Sequence, residues 1–236
     1  MSFRTRVVTQ LVALCVLLAG YGFAADNAYL YIVHGIPGRD IADNLNPGFP
    51  IDVLIDSTCL ARGLTFGNTS GPLSFSAGTY DVEISDANTL APCTNPTIID
   101  SQVTLTSGES VSAVAAIRGG EPKLLQFTDS LSPVVPGNAR VIFSQVADAP
   151  ALEATLTQLN VKSPQTFTVT AAPGTQAKIG VPAGSYLVQV TAKGSTTVLT
   201  SEQVDLGDQS VEFVYAAGEA ANNSVGLMNR AVRDVF

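Results

Sequence analysis

The sequence predicts an all-β protein: two tandem immunoglobulin-like (Ig-like) β-sandwich domains behind an N-terminal signal peptide. Three observations predict this. Short segments rich in Val, Ile, Thr, Phe and Tyr are separated by Gly, Pro, Asn and Ser at regular intervals. These segments recur once, in the same order, about 105 residues further along the chain. The first 24 residues have the charge and apolar pattern of an export signal.

Residues 1–24 fit a secretory signal peptide. Arg4 and Arg6 form its charged start, an apolar run follows, and Gly22-Phe23-Ala24 places small residues at the cleavage-recognition positions. The alternative is a membrane anchor, but the apolar run is too short to cross about 30 Å of hydrocarbon. We therefore expect an exported protein, periplasmic or extracellular, whose mature chain does not insert into a membrane.

The organising feature of the remaining sequence is an internal repeat. Three segments of the first half match segments of the second half in the same order. Residues 31–34 match 141–144 at an offset of 110, residues 73–84 match 179–190 at an offset of 106, and residues 103–111 match 204–211 at an offset of 100 to 101. The offset changes between segments, which indicates insertions in the connecting loops.

The repeat and the composition together set the expected domain boundaries. The first sandwich takes residues 25–131, residues 132–138 form a linker rich in Pro and Gly, and the second sandwich takes residues 139–236. Residues 224–234 correspond by repeat to 122–129, so we expect a last strand there. Helix propensity alone favours a helix over 227–233.

Alternating residues predict strands with one buried and one wet face. In residues 78–85, apolar side chains alternate with Asp, Glu and Ser. In residues 51–56, one face takes Ile51, Val53 and Ile55, and the other takes Asp52, Leu54 and Asp56. Residues 111–117 and 211–216 lack this alternation and indicate more deeply buried strands.

Cysteine usage agrees with export. Removal of the signal peptide takes Cys15 and leaves Cys59 and Cys93, which an oxidising compartment would pair. Closing a loop of about 34 residues would stabilise the fold by roughly 3–4 kcal/mol. A two-cysteine metal site is the alternative, but neither residue has a nearby His or a second Cys at ligand spacing.

The charge balance excludes one class of partner. Lys and Arg number 12 against 20 Asp and Glu, and removing the two leader arginines changes the net charge from −8 to 10 − 20 = −10. An acidic chain without a basic cluster does not bind nucleic acid. We expect a monomer whose partner is a protein or glycan of the cell envelope.

The order of several segments carries a family likeness. The chain resembles bacterial exported proteins of the domain of unknown function 4397 in Ile32-Val-His34, Ile51-Asp-Val-Leu-Ile-Asp56, Phe66-Gly67, Ala77-Gly-Thr-Tyr-Asp-Val82 and Val103-Thr-Leu-Thr-Ser-Gly108. The resemblance implies tandem Ig-like or related sandwich modules, secreted or attached to a surface, and a cysteine pair similar to Cys59 and Cys93. It implies no activity, because the family has no established one.

Five polar residues are candidates for interaction or for calcium: His34, Asp40, Asp43, Asp52 and Asp56. Grouped carboxylates can hold Ca²⁺ or act as the acid and base of glycoside hydrolysis. The alternative is a solvated sheet face beside an Asp-rich turn. For the single His, a structural role in a loop is the alternative to catalysis, since the sequence has no Gly-x-Ser-x-Gly signature. We expect no resident cofactor and no catalytic residue.

These observations favour a non-catalytic exported protein whose two sandwiches present loops or sheet edges to a partner. Two alternatives stay open. One is a hydrolase that uses His34 or the region of Asp52 and Asp56. The other is a structural spacer at the cell surface.

Overall fold

The structure is a computed structural model that describes residues 27–41 and 46–232. The expected signal peptide and Asp43 lie outside the described residues. Within these residues the chain forms sixteen strands and one short 3₁₀ helix, Gly38–Asp40. The predicted all-β class is confirmed.

The first sandwich consists of eight strands in two four-stranded sheets. They are β1 (Ala28–His34), β2 (Ile51–Ile55), β3 (Thr58–Leu64), β4 (Thr69–Phe75), β5 (Gly78–Asp86), β6 (Thr97–Leu105), β7 (Ser110–Arg118) and β8 (Glu121–Thr128). The strand order β3-β2-β5-β6 forms its outer sheet, and β4-β1-β7-β8 forms its inner sheet.

The second sandwich repeats this arrangement strand for strand. Its strands are β9 (Asn138–Gln145), β10 (Leu152–Gln158), β11 (Thr166–Ala171), β12 (Gln176–Pro182), β13 (Gly184–Ala192), β14 (Val198–Leu206), β15 (Val211–Ala217) and β16 (Gly226–Val232). The order β11-β10-β13-β14 forms the outer sheet and β12-β9-β15-β16 the inner sheet. Strand β16 confirms the strand expected in residues 224–234.

The two inner sheets pack against each other, so the four sheets form a stack. One apolar cluster fills each sandwich. A third cluster joins the outward side chains of β1 and β7, such as Val33 and Val114, to those of β9 and β15, such as Ile142 and Phe213. The buried apolar residues thus form three clusters, one inside each sandwich and one between the two inner sheets. Two tandem sandwiches predict only the first two.

Burial on both faces explains the strands that lack alternation. Seven residues of β15 and eight of the nine in β7 are buried. Each of these strands pairs in parallel with the first strand of its half, β1 with β7 and β9 with β15. Parallel pairs covered on both faces have continuous apolar sequences, as these two do.

A buried ion pair crosses the interface between the inner sheets. Arg230 donates to Asp129 at 2.8 Å, and the two side chains are 9% and 0% exposed. The guanidinium lies between the rings of Tyr31 and Phe213, 3.8 and 4.1 Å from their centroids. Ser112 donates to the other oxygen of Asp129. Pairing, hydrogen bonds and ring contacts offset part of the cost of burying both charges, while Nε and Nη1 of Arg230 are buried without a hydrogen-bond partner among the described residues.

The segment between the sandwiches is held to the second one. Arg140 donates to the carbonyl oxygens of Ser132 and Pro133 at 2.7 and 3.1 Å. The strands end at Thr128 and resume at Asn138, close to the linker bounds expected from the sequence. That each half is an independent domain stays a prediction.

Removing one partner of the buried pair should destabilise the whole stack. Asp129→Ala leaves the Arg230 guanidinium buried without a counter-charge, and we expect the free energy of unfolding to fall by about 3–5 kcal/mol. Urea denaturation measures this loss. The control is Glu121→Gln, which breaks the exposed Lys123–Glu121 pair and should cost less than about 1 kcal/mol. Equal losses in the two variants would contradict the role of the buried pair.

Candidate functional site

The two sandwiches differ in the connection between their fifth and sixth strands. In the second sandwich, β13 and β14 are joined by five residues, 193–197. In the first, β5 and β6 are joined by ten, 87–96, which we call the braced loop. The five additional residues account for the change in repeat offset from 106 to 101. The second sandwich joins the equivalent strands in five residues, so the longer connection is not needed to form the sheet.

A buried carboxylate holds the braced loop against the outer sheet. Asp52 on β2 accepts the backbone N–H groups of Asn88 and Cys93 at 3.0 and 2.8 Å, and that of Gly63 at 2.8 Å. Asp52 alternates with the core residues of β2 and therefore lies on the outer face, but the loop leaves it only 1% exposed. The sequence had placed this carboxylate on a solvated sheet face, and that expectation is wrong.

The charge of Asp52 is stabilised where it lies. Burial by itself would raise the pKa of this carboxyl, but the three N–H donors and the nearby Arg62 outweigh burial and hold the pKa below its usual range. Asp52 is therefore ionised at neutral pH and acts as the acceptor that fixes the loop.

Covalent and local bonds complete the bracing. Cys59 and Cys93 form the expected disulfide, which ties β3 to the loop. The side-chain oxygen of Asn88 accepts the N–H groups of Leu90 and Ala91 at 3.1 and 3.0 Å. The remaining side-chain bonds run within the loop or to the end of β5, from Asn88 to Thr94 and Asn95, from Thr94 to the carbonyl of Ala91, and from Asn95 to the carbonyl of Asp86.

An apolar side chain lies at the tip of the braced loop. Leu90 is 96% exposed, and Leu60, beside Cys59, is 37% exposed. A loop with this many bonds loses little conformational entropy when it binds. An exposed aliphatic side chain on such a loop is suited to filling a pocket on another protein.

A cavity of about 250 Å³ lies under the loop. Its lining includes Asp52, Arg62, Asn88 and Pro92. Because the oxygens of Asp52 already accept three N–H groups, Arg62 is the charged group that this cavity offers to a ligand.

The connection between β1 and β2 is also longer in the first sandwich, and it contacts the second sandwich. Residues 35–50 join β1 and β2, whereas 146–151 join β9 and β10. Asp40, in the described part of this insertion, accepts Ser224 Oγ at 2.5 Å and Asn222 Nδ2 at 3.1 Å, both from the second sandwich. Arg39 donates to the carbonyl of Asn223. This insertion therefore contacts the other half of the same chain.

His34 holds the same insertion in place through two hydrogen bonds of its buried ring. The ring is fully buried, with Nε2 2.6 Å from the carbonyl oxygen of Phe49, and Nδ1 accepts the N–H of Ile36 at 3.3 Å. A neutral imidazole protonated on Nε2 satisfies both bonds. Burial lowers the pKa of His34 to about 4, although the bond to Phe49 acts in the opposite direction.

The structure keeps the sequence-predicted site residues apart. His34 and Asp52 have different partners, and Asp56 lies in the turn after β2, where its side chain accepts the N–H of Asp81 at 2.9 Å. The cavity beside Asp52 is lined by neither His34 nor Asp56. Among residues 27–41 and 46–232, no three His, Cys, Asp or Glu side chains are grouped for a metal. Calcium binding at the acidic candidates stays a prediction.

Within residues 27–41 and 46–232, no helix is long and apolar enough to cross a membrane.

The braced loop itself was not recognised as a site in the sequence. Its ten residues contain no charge and no known motif. The signal that could have identified it is the five-residue change in repeat offset, read together with the position of Cys93 inside the inserted segment.

Residues 28–155 match the family model described as "Domain of unknown function (DUF4397)". This is more than half of the chain. The chain belongs to the DUF4397 family. The DUF4397 match covers the whole first sandwich, including the braced loop, and continues through β9 into β10. No curated protein matches the sequence.

Solved structures with some likeness include three bacterial proteins. The TIE protein of Bacillus anthracis is 12% identical with a TM-score of 0.26, and the match covers 87% of this chain but 34% of that one. Two candidate cell adhesion proteins, from Bacteroides ovatus and Bacteroides uniformis, are 10% and 11% identical with TM-scores of 0.28. Those matches cover 89% and 87% of this chain and 100% and 98% of theirs. At these scores the likenesses carry no conclusion about the partner of this DUF4397 protein.

Protonation of His34 should destabilise the fold in mild acid. The pKa is about 4 in the folded chain and 6.5 when unperturbed, so the unfolded state takes up the proton first. The contribution of His34 is fully present above pH 6.5 and is lost as the pH falls to 4, by about 3 kcal/mol. Urea denaturation between pH 7 and pH 4 measures it.

The control is His34→Gln, whose side chain does not titrate. The stability gap between wild type and variant should shrink by about 3 kcal/mol from pH 7 to pH 4. Parallel pH profiles would show that His34 does not titrate as its burial requires.

Removing the carboxylate of Asp52 should loosen the braced loop. Asp52→Ala leaves three N–H groups without their acceptor, and we expect a loss of about 1–3 kcal/mol in stability together with faster hydrogen exchange at Asn88 and Cys93. Glu153 is the matched control. It takes the equivalent place on β10, opposite Thr191 as Asp52 is opposite Ser85, but it is only half-buried. Glu153→Ala should cost less than about 0.5 kcal/mol. Unchanged exchange in Asp52→Ala would contradict the assignment.

Proposed function

We propose that this DUF4397 protein is a non-catalytic, exported binding protein that contacts a protein partner of the cell envelope through the braced loop. The observation that carries the proposal is Leu90, 96% exposed at the tip of a loop fixed by a disulfide and a buried carboxylate.

The internal repeat supports this choice of surface. The second sandwich forms the same sheet with a five-residue connection and without a disulfide or a buried carboxylate at the equivalent position. The loop, the bridge and the burial of Asp52 are thus additions to one copy. A loop fixed in this way binds at a small cost in conformational entropy, which supports its use for contact.

Export is part of the proposal. A disulfide forms and persists in oxidising compartments outside the cytoplasm, and the first 24 residues have the pattern of a signal peptide. Binding rather than catalysis is favoured by the separate positions of His34, Asp52 and Asp56, since acid–base or nucleophilic chemistry needs its groups within hydrogen-bond reach of one substrate.

Shortening the tip side chain should remove binding without affecting the fold. Leu90→Ser deletes an exposed side chain, so stability should stay within about 0.5 kcal/mol of wild type. Recovery of the envelope protein captured by the mature wild-type chain should fall at least about tenfold, as expected for a central anchor residue. Quantitative mass spectrometry of captured envelope proteins measures this recovery.

Val198→Ser is the matched control. Val198 is 43% exposed and follows the equivalent short connection of the second sandwich. It should leave recovery unchanged. If Leu90→Ser captures the same proteins in the same amounts as wild type, the braced loop is not the binding surface.

A further inference from the structure

Four carboxylates lie on or at the edge of the outer sheet of the first sandwich, and the exposed Arg62 of β3 lies next to the braced loop. Asp81 and Glu83 alternate with the buried Val82 and Ile84 on β5, so their side chains lie on the outer face, and Asp100 faces the same way on β6. Asp56 adds a fourth carboxylate in the turn after β2. Asp56, Asp81 and Asp100 are exposed, and Glu83 is half-buried. Within the described part of the chain, none of the four takes part in an ion pair. Asp81 accepts a hydrogen bond from Gln102 Nε2 at 2.8 Å, and Glu83 accepts one from Thr97 Oγ1 at 3.0 Å.

The second sandwich has no charge at any of the four equivalent positions. The strand registers align them with Thr157, Leu187, Gln189 and Ser201, which are all neutral. The sheet therefore folds without these carboxylates. Like the braced loop, the acidic face was added to one copy only.

One pair of these carboxylates acts against the fold. Glu83 and Asp100 are directly opposite each other on neighbouring antiparallel strands. Like charges in this position repel and destabilise a sheet. The equivalent pair in the second sandwich, Gln189 and Ser201, avoids that repulsion. The first sandwich therefore bears a charge repulsion that the second one lacks. We take this difference as support for a role of the two carboxylates in binding.

An unused hydrogen-bonding group lies on the same face. Ser85, two residues after Glu83 on β5, is 1% exposed, and its hydroxyl has no partner among the described residues. The braced loop extends from the end of this same strand. The carboxylates lie on the outer side of the first sandwich, Ser85 is buried on the same side of β5, and the braced loop with Leu90 begins where β5 ends.

We propose that this side binds a basic protein segment: an apolar surface that receives Leu90, flanked by Lys or Arg side chains that pair with Asp81, Glu83 and Asp100. The proposal rests on the proposed function and adds the chemistry of the partner. Complementary charge around an apolar anchor selects the partner and speeds its association, and Lys or Arg side chains are the complement of these surface carboxylates.

The test uses two synthetic 18-residue amphipathic helical peptides as probes, one with Leu on one face and Lys on the other, and one with Glu in place of Lys. Fluorescence anisotropy with the mature chain should show binding of the Leu/Lys peptide, weakening as salt is added, and no binding of the Leu/Glu peptide. Glu83→Gln combined with Asp100→Ser should weaken binding about fivefold, and Leu90→Ser about tenfold.

The control for overall charge is Glu109→Gln combined with Glu121→Gln, which removes two carboxylates elsewhere on the first sandwich. It should leave peptide affinity within about twofold of wild type. Equal losses in the two charge-reduced variants, or unchanged binding by Leu90→Ser, would overturn the inference. So would failure of the Leu/Lys peptide to bind. If envelope capture still depends on Leu90 in that case, the proposed function stands and only the basic character of the partner is wrong.

Discussion

Burial of the two inner sheets on both faces is the constraint on which the rest of the structure depends. A sheet that is apolar on both sides has to be covered on both, and each inner sheet covers the other. The Arg230–Asp129 pair lies in this contact, with one charge from each half. With the inner faces occupied, the outer sheets and their loops are the surfaces that remain exposed.

Comparing the two halves shows which features the sandwich needs and which are present in only one copy. Both halves build eight strands in the same order, so a difference between them is not dictated by the architecture. The insertion with His34 and Asp40 is used inside the molecule, against Phe49 and the loop of Ser224. The braced loop is bonded to the sheet through Asp52 and the disulfide and within itself through Asn88, and it leaves the Leu90 side chain in solvent. One insertion thus adds contacts inside the stack, and the other is the surface that we propose for binding.

Much of the fold could be predicted from the sequence, because strand period, turn residues and repeat are local or self-similar signals. The final strand was predicted against its helix propensity by the repeat alone. The role of Asp52 could not be predicted, because its burial depends on a loop that closes over it from 36 residues away. The role of Arg230 could not be predicted either, because its counter-charge Asp129 and the ring of Tyr31 come from the other half of the chain, and only Phe213 lies on the neighbouring strand. Both are pairings across the fold, which alternation along one strand does not encode.

A loop exchange tests the central claim most directly. In this chimera residues 87–96 are replaced by the second sandwich's Lys193-Gly-Ser-Thr-Thr197, with Cys59→Ser to remove the unpaired thiol. The measurement is recovery of the envelope protein captured by the mature chain, made on chimera whose strand amides keep their hydrogen-exchange protection. The account predicts that the sheet forms and the captured protein is lost. A folded chimera that captures as much as wild type, or one that cannot form the sheet at all, would contradict the claim that the braced loop was added to this fold for binding.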